Sequence, residues 1–217
     1  VGAVLFSFQI YCDFNGYSTI AKGAAQVMGF TLMDNFRQPY LAQDIRDFWR
    51  RWHISLTSWF TDYLYIPLGG NRKGLARQCV NIMIVFLTSG LWHGAAWTYV
   101  FWGVLHGGFQ VIGNLRRKWS IRKNQQRKSW RKLLAGITTF LLVTFSWILF
   151  RAESVSQAKG YLLRMFEGPG TLSFPDMGLS QADWIVLALA GVVLFVVDLL
   201  HEHGIRIRQT VERRPLG

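Results

Sequence analysis

The stretch LLAGITTFLLVTFSWILF (133–150) decides the fold class, because it carries no charge and is about as long as a helix that crosses the hydrocarbon core of a bilayer. WIVLALAGVVLFVVDLL (184–200) repeats the pattern, with Asp198 its single charge. Both are read as transmembrane helices. A third apolar region, 80–113, contains no Asp, Glu, Lys or Arg. At about 1.5 Å per residue it is too long for one ordinary span, so it is either a tight helical hairpin or one long tilted helix. The 217 residues are 51% hydrophobic and yet carry a net charge of +12, which requires apolar mass and basic charge to be segregated along the chain. The chain opens inside a further apolar stretch (1–8) without an initiator Met, and is read as the C-terminal portion of a longer protein. No basic n-region precedes that stretch, so it is not read as a signal peptide. The expected fold is all-α: a multi-pass transmembrane helical bundle with amphipathic interfacial or re-entrant helices, forming one membrane domain over 1–217.

The charges orient these elements. Nine Lys or Arg and no acid lie between Arg116 and Lys132, so the positive-inside rule makes 114–132 a basic cytoplasmic loop. Acids balance the bases over 151–183, which reads as an extracytoplasmic loop, and the Arg-rich tail after His201 returns to the cytoplasm. Arg72, Lys73 and Arg77 place the other flank of 80–113 on the cytoplasmic side too, which favours an in-out-in hairpin. Topology thereby accounts for the basic charge. The expected partner is the anionic lipid surface of the bilayer and not nucleic acid. A different kind of element covers 41–64, where Ile45, Phe48, Trp49, Trp52, Leu56 and Trp59 recur at spacings of three and four. This is an amphipathic helix with a break near Ser55, ended by Pro67, Gly69 and Gly70. Its aromatic face either lies among headgroups or packs on the membrane bundle.

Several polar residues sit where apolar ones belong. His53 falls on the apolar stripe of the amphipathic helix and needs a partner there. His93, in SGLWHGAAW (89–97), lies within the uncharged region between Gly90, Gly94, Ala95 and Ala96. An ionisable group at membrane depth is costly and marks a site, small neighbours admit a second helix or a substrate, and an imidazole there is able to accept a proton. His106 lies thirteen residues further on, nearly opposite His93 on any one straight helix at about 100° per residue, so the two are not read as a dyad. His201 and His203 read as interfacial. Asp13 and Asn15 add polarity near the first apolar stretch, where Asp13 is either a partner for an imidazole or a helix-end residue. No His, Cys or carboxylate spacing suggests a metal site, and Cys12 and Cys79 read as free thiols.

The succession FQIYCDFNGYS (8–18), NFRQPY (35–40), IRDFWRRWHISLTSWFTDYLYIPLGGNRKG (45–74) and LWHGAAWTYVFWGVLHG (91–107) resembles the membrane-bound O-acyltransferase family, in particular its bacterial branch that contains the membrane subunit of alginate O-acetylation and, more distantly, the D-alanyl transfer protein of teichoic acids. The resemblance is nearly continuous from 8 to 113 and extends more weakly to SWILFRAES (146–154). It implies that His93, in Trp92-His93-Gly94, is the essential histidine and that His53, in Arg51-Trp52-His53, is the second signature position, both lining a tunnel through the membrane. Asp13, Trp52, Trp92, Gly94 and Asn81 are the candidates for lining or supporting that tunnel. Thr19 and Thr61 depart from the family, where Asp and Arg are common.

The function that follows as an expectation is O-acyl transfer, with acetyl the expected group. It runs from a cytoplasmic thioester donor, acetyl-CoA or an acyl carrier protein, toward an extracytoplasmic glycan or a partner acetyltransferase, in the bacterial inner membrane. No permanently bound cofactor is expected. His93 takes the proton from the accepting hydroxyl, and His53 orients the donor or hydrogen-bonds the oxyanion. Two other classes compete. In a transporter or channel the histidines form a relay, which explains the intramembrane polarity equally well; a non-catalytic scaffold only recruits the extracytoplasmic enzyme.

Overall fold

A computed structural model describes residues 1–120, 129–166 and 178–205. The order of elements is α1 (Gly2–Val27), a 3₁₀ turn (Pro39–Leu41), α2 (Ile45–Arg51), α3 (Ile54–Phe60), a π-helical turn (Thr61–Tyr65), α4 (Gly74–His93), α5 (Trp97–Ser120), α6 (Ser129–Arg151), α7 (Val155–Phe166) and α8 (Gln181–Glu202). Among the described residues there is no β-strand, and the protein is all-α. Among the described residues three helices, α4, α6 and α8, are long and apolar enough to cross a bilayer. The chain forms two compact units, Val1–Leu162 and Leu163–Gly217. In the second, α8 begins with a capping box between Ser180 and Asp183 and leaves Ile185, Val186, Leu189 and Val193 exposed, as suits a helix whose surroundings are apolar.

The region 80–113 is a hairpin and not one long helix. α4 ends at His93, and α5 starts at Trp97 after only three residues. The two arms meet backbone to backbone, because glycines remove the side chains that would hold them apart. A Cβ on Gly103 would lie 2.4 Å from the Phe86 carbonyl oxygen, and one on Gly90 would lie 2.4 Å from that of Tyr99. Gly107, four residues after Gly103, repeats the approach against Met83. This is the small-xxx-small packing by which membrane helices associate without a hydrophobic driving force between them.

The amphipathic segment is two short helices. The break falls at Trp52 and His53, slightly before Ser55, and it has a cause outside the segment. The Asn35 backbone carbonyl accepts the Ile54 N–H at 3.0 Å, while its side-chain Oδ1 accepts the Ser55 N–H at 3.2 Å and the Ser55 hydroxyl at 2.6 Å. Arg37 N–H closes on the Arg51 carbonyl at 2.9 Å. The irregular strap 35–37 thus satisfies backbone groups that the interruption frees. Trp52, buried, anchors the kink among Phe36, Phe48 and Trp147, with ring centroids 4.9, 5.6 and 5.2 Å away. The part of the aromatic face formed by Phe48, Trp49, Trp52 and Phe60 is therefore buried, whereas Trp59 stays exposed. Pro67, Gly69 and Gly70 follow the π-turn, and Gly69 and Gly70 have φ of 105° and 51°, which only glycine adopts without strain.

The basic segment expected as a loop over 114–132 is helical at both ends, since α5 runs to Ser120 and α6 starts at Ser129; 121–128 lie outside the described residues. The segment 151–183 likewise contains α7 and the start of α8, and 167–177 lie outside the described residues. The Arg-rich tail from 206 onward is also outside them.

His106 closes the core. Because an indole N–H only donates, the 3.2 Å bond from Trp49 Nε1 makes His106 Nδ1 the acceptor and leaves the proton on Nε2. Nε2 then donates to Ser146 Oγ at 2.7 Å, and Ser146 donates to the Val143 carbonyl at 2.6 Å. The relay ties α2, α5 and α6 together with every member satisfied. Replacing His106 with Leu strands the buried Trp49 N–H, and a loss of about 1–3 kcal/mol is expected. A thermal-stability measurement in detergent checks it, with His106→Gln expected to recover part of the loss.

Candidate functional site

His53 and His93 approach the Trp92 ring from different elements. His53 occupies the kink between α2 and α3 with φ 45° and ψ 53°, a left-handed conformation that costs a non-glycine residue energy and persists only where the surroundings impose it. The Asn35 strap imposes it. The ring is thereby turned toward α1 and α4, against Phe14 at 4.6 Å and Trp92 at 6.3 Å between centroids. Ser55, whose hydroxyl is spent on Asn35, makes only a long 3.5 Å approach to His53 Nδ1. Burial first, and then the electrostatic influence of His93, push the His53 imidazole down to about 4. It is neutral at physiological pH.

His93 is the last residue of α4, at the tip of the hairpin. Its ring is half-buried and caged by aromatic neighbours: Trp92 at 5.0 Å, Phe150 at 5.1 Å, Trp102 at 5.3 Å and Tyr99 at 6.5 Å. Among the described residues no protein group hydrogen-bonds to it. This contrasts with His106, whose two nitrogens are both occupied, and it leaves the His93 ring able to serve a substrate. Gly94 shapes the cage, since a Cβ there would stand 2.5 Å from the Tyr99 ring.

The other expected site residues fall into distinct places. Trp92, largely exposed, touches both histidine rings and bridges them. Trp52 is buried directly before His53 and supports the kink. Asp13 is exposed, and it is its neighbour Phe14 that meets His53. Asn81 is fully buried twelve residues before His93, about 18 Å along α4. Its Nδ2 donates to the Leu68 and Gly70 carbonyls at 3.3 and 3.1 Å, so it holds the turn before α4 and not the histidine pair. Thr19 and Thr61 each donate a hydroxyl back to a carbonyl four residues earlier.

Sequence reasoning passed over Asn35, Tyr99, Trp102 and Phe150. The signal for Trp102 was its spacing, since Thr98, Trp102 and His106 recur every four residues along the buried face of α5. Among the described residues, the buried Trp102 N–H and Thr98 hydroxyl have no hydrogen-bond partner. No group of three or more His, Cys, Asp or Glu side chains among them is placed to hold a metal ion.

A cavity of about 330 Å³ lies beside this region, between α2, α3, the π-turn, α4 and α5. Arg46, Arg50, Asn71, Gln78 and Gln110 give it cations and amides, and Trp49 and Phe86 line it with rings. Neither His53 nor His93 is among its lining residues.

Known proteins share this arrangement of sequence. The profile of the membrane-bound O-acyltransferase family matches residues 2–153. A probable alginate O-acetylase, AlgI, of Pseudomonas putida is 43% identical over 92% of this chain and 39% of its own length. A peptidoglycan O-acetyltransferase of Helicobacter pylori is 42% identical over 70% of this chain and 28% of its own, and a teichoic acid D-alanyltransferase of Bacillus subtilis 31% identical over 68% and 40%. The chain thus spans well under half the length of the curated relatives it matches. With the family profile covering both histidines, the hairpin and the kinked segment, this chain belongs to the membrane-bound O-acyltransferase family.

Proposed function

We propose that the protein carrying this chain is a membrane-embedded O-acyltransferase that moves an acyl group, acetyl in the first instance, from a cytoplasmic thioester to an extracytoplasmic glycan or to a partner acetyltransferase, in the bacterial inner membrane. The observation that carries the reading is that two imidazoles from separate elements approach the same Trp92 ring. One of them, His93, has no protein hydrogen-bond partner among the described residues. His93 takes the proton of the accepting hydroxyl as its oxygen attacks the thioester carbonyl carbon. The tetrahedral oxyanion collapses with rupture of the C–S bond, and the departing thiolate recovers the proton from His93. His53, neutral at its kink, hydrogen-bonds the oxyanion or orients the donor.

The arginines and amides of the 330 Å³ cavity support an anionic carrier, acetyl-CoA or a phosphopantetheine-bearing protein, as the donor. No permanently bound cofactor is part of this mechanism. The glycan acetylation and alanylation named for the relatives support an envelope acceptor.

Acyl-donor turnover by the purified full-length protein tests the reading. Release of free thiol that depends on an added glycan or partner protein is expected, and its absence favours a recruitment scaffold. The pH profile sharpens the test. A histidine held near 4 stays neutral as pH falls through 6.5, so the acid limb of turnover due to His53 is expected between about pH 5 and 4. An acid limb near 6.5 that is present in the parent protein and absent from the His53→Gln variant contradicts this role for His53.

A further inference from the structure

A second cavity, of about 620 Å³, lies between the start of α2, the C-terminal half of α5 and the N-terminal half of α6, and the acyl-transfer reading leaves it without a role. Its two ends differ in chemistry. Arg116 and Arg117, with Arg46 across from them on α2, supply cations near the end of α5; Phe109, Ile112 and Leu142 line the inner part. From Arg116 to Phe109 the helix rises about 10 Å, so the change from cationic to apolar happens over the depth of one headgroup and the first part of a chain. Two of the inner polar residues offer little to a polar ligand, because the Thr138 and Thr139 hydroxyls donate to the Leu134 and Ala135 carbonyls of their own helix, which leaves the Gln110 amide. The one carboxylate in the lining, Asp44, accepts the Asp47 N–H at 2.8 Å as the cap of α2, so three guanidinium groups face a single, already engaged anion.

We propose that this cavity is a binding site for an anionic phospholipid, with its phosphodiester on Arg116, Arg117 and Arg46 and an acyl chain along Phe109, Ile112 and Leu142. A guanidinium engages a phosphate through paired N–H donors, and basic pockets between membrane helices at the cytoplasmic side suit such headgroups. A nucleotide fits the same cations, but beyond them it meets the Phe109, Ile112 and Leu142 side chains, with the Gln110 amide the polar group among them. A zwitterionic lipid fits the shape and leaves the net positive charge uncompensated. Arg46 and Gln110 line both cavities, so a bound lipid also braces the wall against which the proposed donor would rest.

The test is lipid selectivity of the full-length protein in nanodiscs of equimolar phosphatidylglycerol and phosphatidylcholine, read as bound lipid by native mass spectrometry. Retention of phosphatidylglycerol over phosphatidylcholine by roughly tenfold or more is expected, from about a fivefold contribution per basic residue. The R116Q/R117Q variant is expected to lose that preference. Thr139→Trp, which fills the apolar part without touching an arginine, is expected to expel the lipid and guards against a folding defect in the double variant. A variant with Arg122, Lys123, Arg127 and Lys128 changed to Gln is expected to keep the lipid. The proposal is overturned by no preference in the parent protein, by retention in both cavity variants, by loss in the 122–128 variant alone, or by displacement of the lipid with coenzyme A.

Discussion

Replacing His93 with Ala is expected to abolish acetylation of the envelope glycan, with donor turnover by the full-length protein falling by roughly 10²–10⁴-fold, the range for removing a positioned general base. The amount of protein in the membrane is expected to stay unchanged. The reason lies in the contrast between the histidines. His106 is fully buried with both nitrogens engaged, so removing it damages the core. His93 is half-buried, surrounded by the rings of Trp92, Trp102 and Phe150, and bonded to no protein group among the described residues. Truncating it strands no partner, and it is the last residue of its helix, where alanine continues the backbone without cost. A glycan acetylation assay beside an immunoblot of membrane fractions separates the two effects. Acetylation retained in this variant sinks the base assignment, whatever remains of the family relationship.

Gly103→Leu is expected to act in the opposite way, by removing the folded protein from the membrane. A Cβ at this position stands 2.4 Å from the Phe86 carbonyl oxygen and 3.1 Å from its carbon, both backbone atoms that no rotamer change moves aside. Forced overpacking of this kind costs about 1–3 kcal/mol for an inserted methylene or two, and the clash here is with the facing helix itself. The hairpin must open, and with it the register that sets His93 at the tip next to Trp102 and Tyr99 from the other arm. Membrane abundance and protease resistance are expected to fall together with activity. A Cβ at Gly108, one residue past the stripe, meets nothing within 4 Å, and substitution there is expected to be tolerated. Equal loss at both positions contradicts the close-packed hairpin.

These outcomes follow from parts of the molecule that differ in how openly the sequence declares them. The helices over 133–150 and 184–200 are legible because the bilayer acts on each residue separately, so composition over one span suffices. The expense of His93 is legible for the same reason, as is the amphipathic stripe that carries His53. The kink at His53 is not, since its cause is Asn35, in a strap that meets the segment only after folding. The choice between hairpin and long helix rested on charge at the flanks, and the reason for it, glycine facing backbone across α4 and α5, is a relation between two helices.

His106 shows the boundary most clearly. On one straight helix it lies opposite His93 and carries no meaning; with the helix folded back at Gly94 it becomes the buried joint of α2, α5 and α6. What the sequence by itself determined is which segments are apolar enough to cross a membrane, and the residue that such surroundings make anomalous, because transfer free energies are properties of single side chains. Only the tertiary structure decided which imidazole is free and which is spent, because hydrogen-bond partners and close backbone approach are properties of pairs brought together from distant parts of the chain.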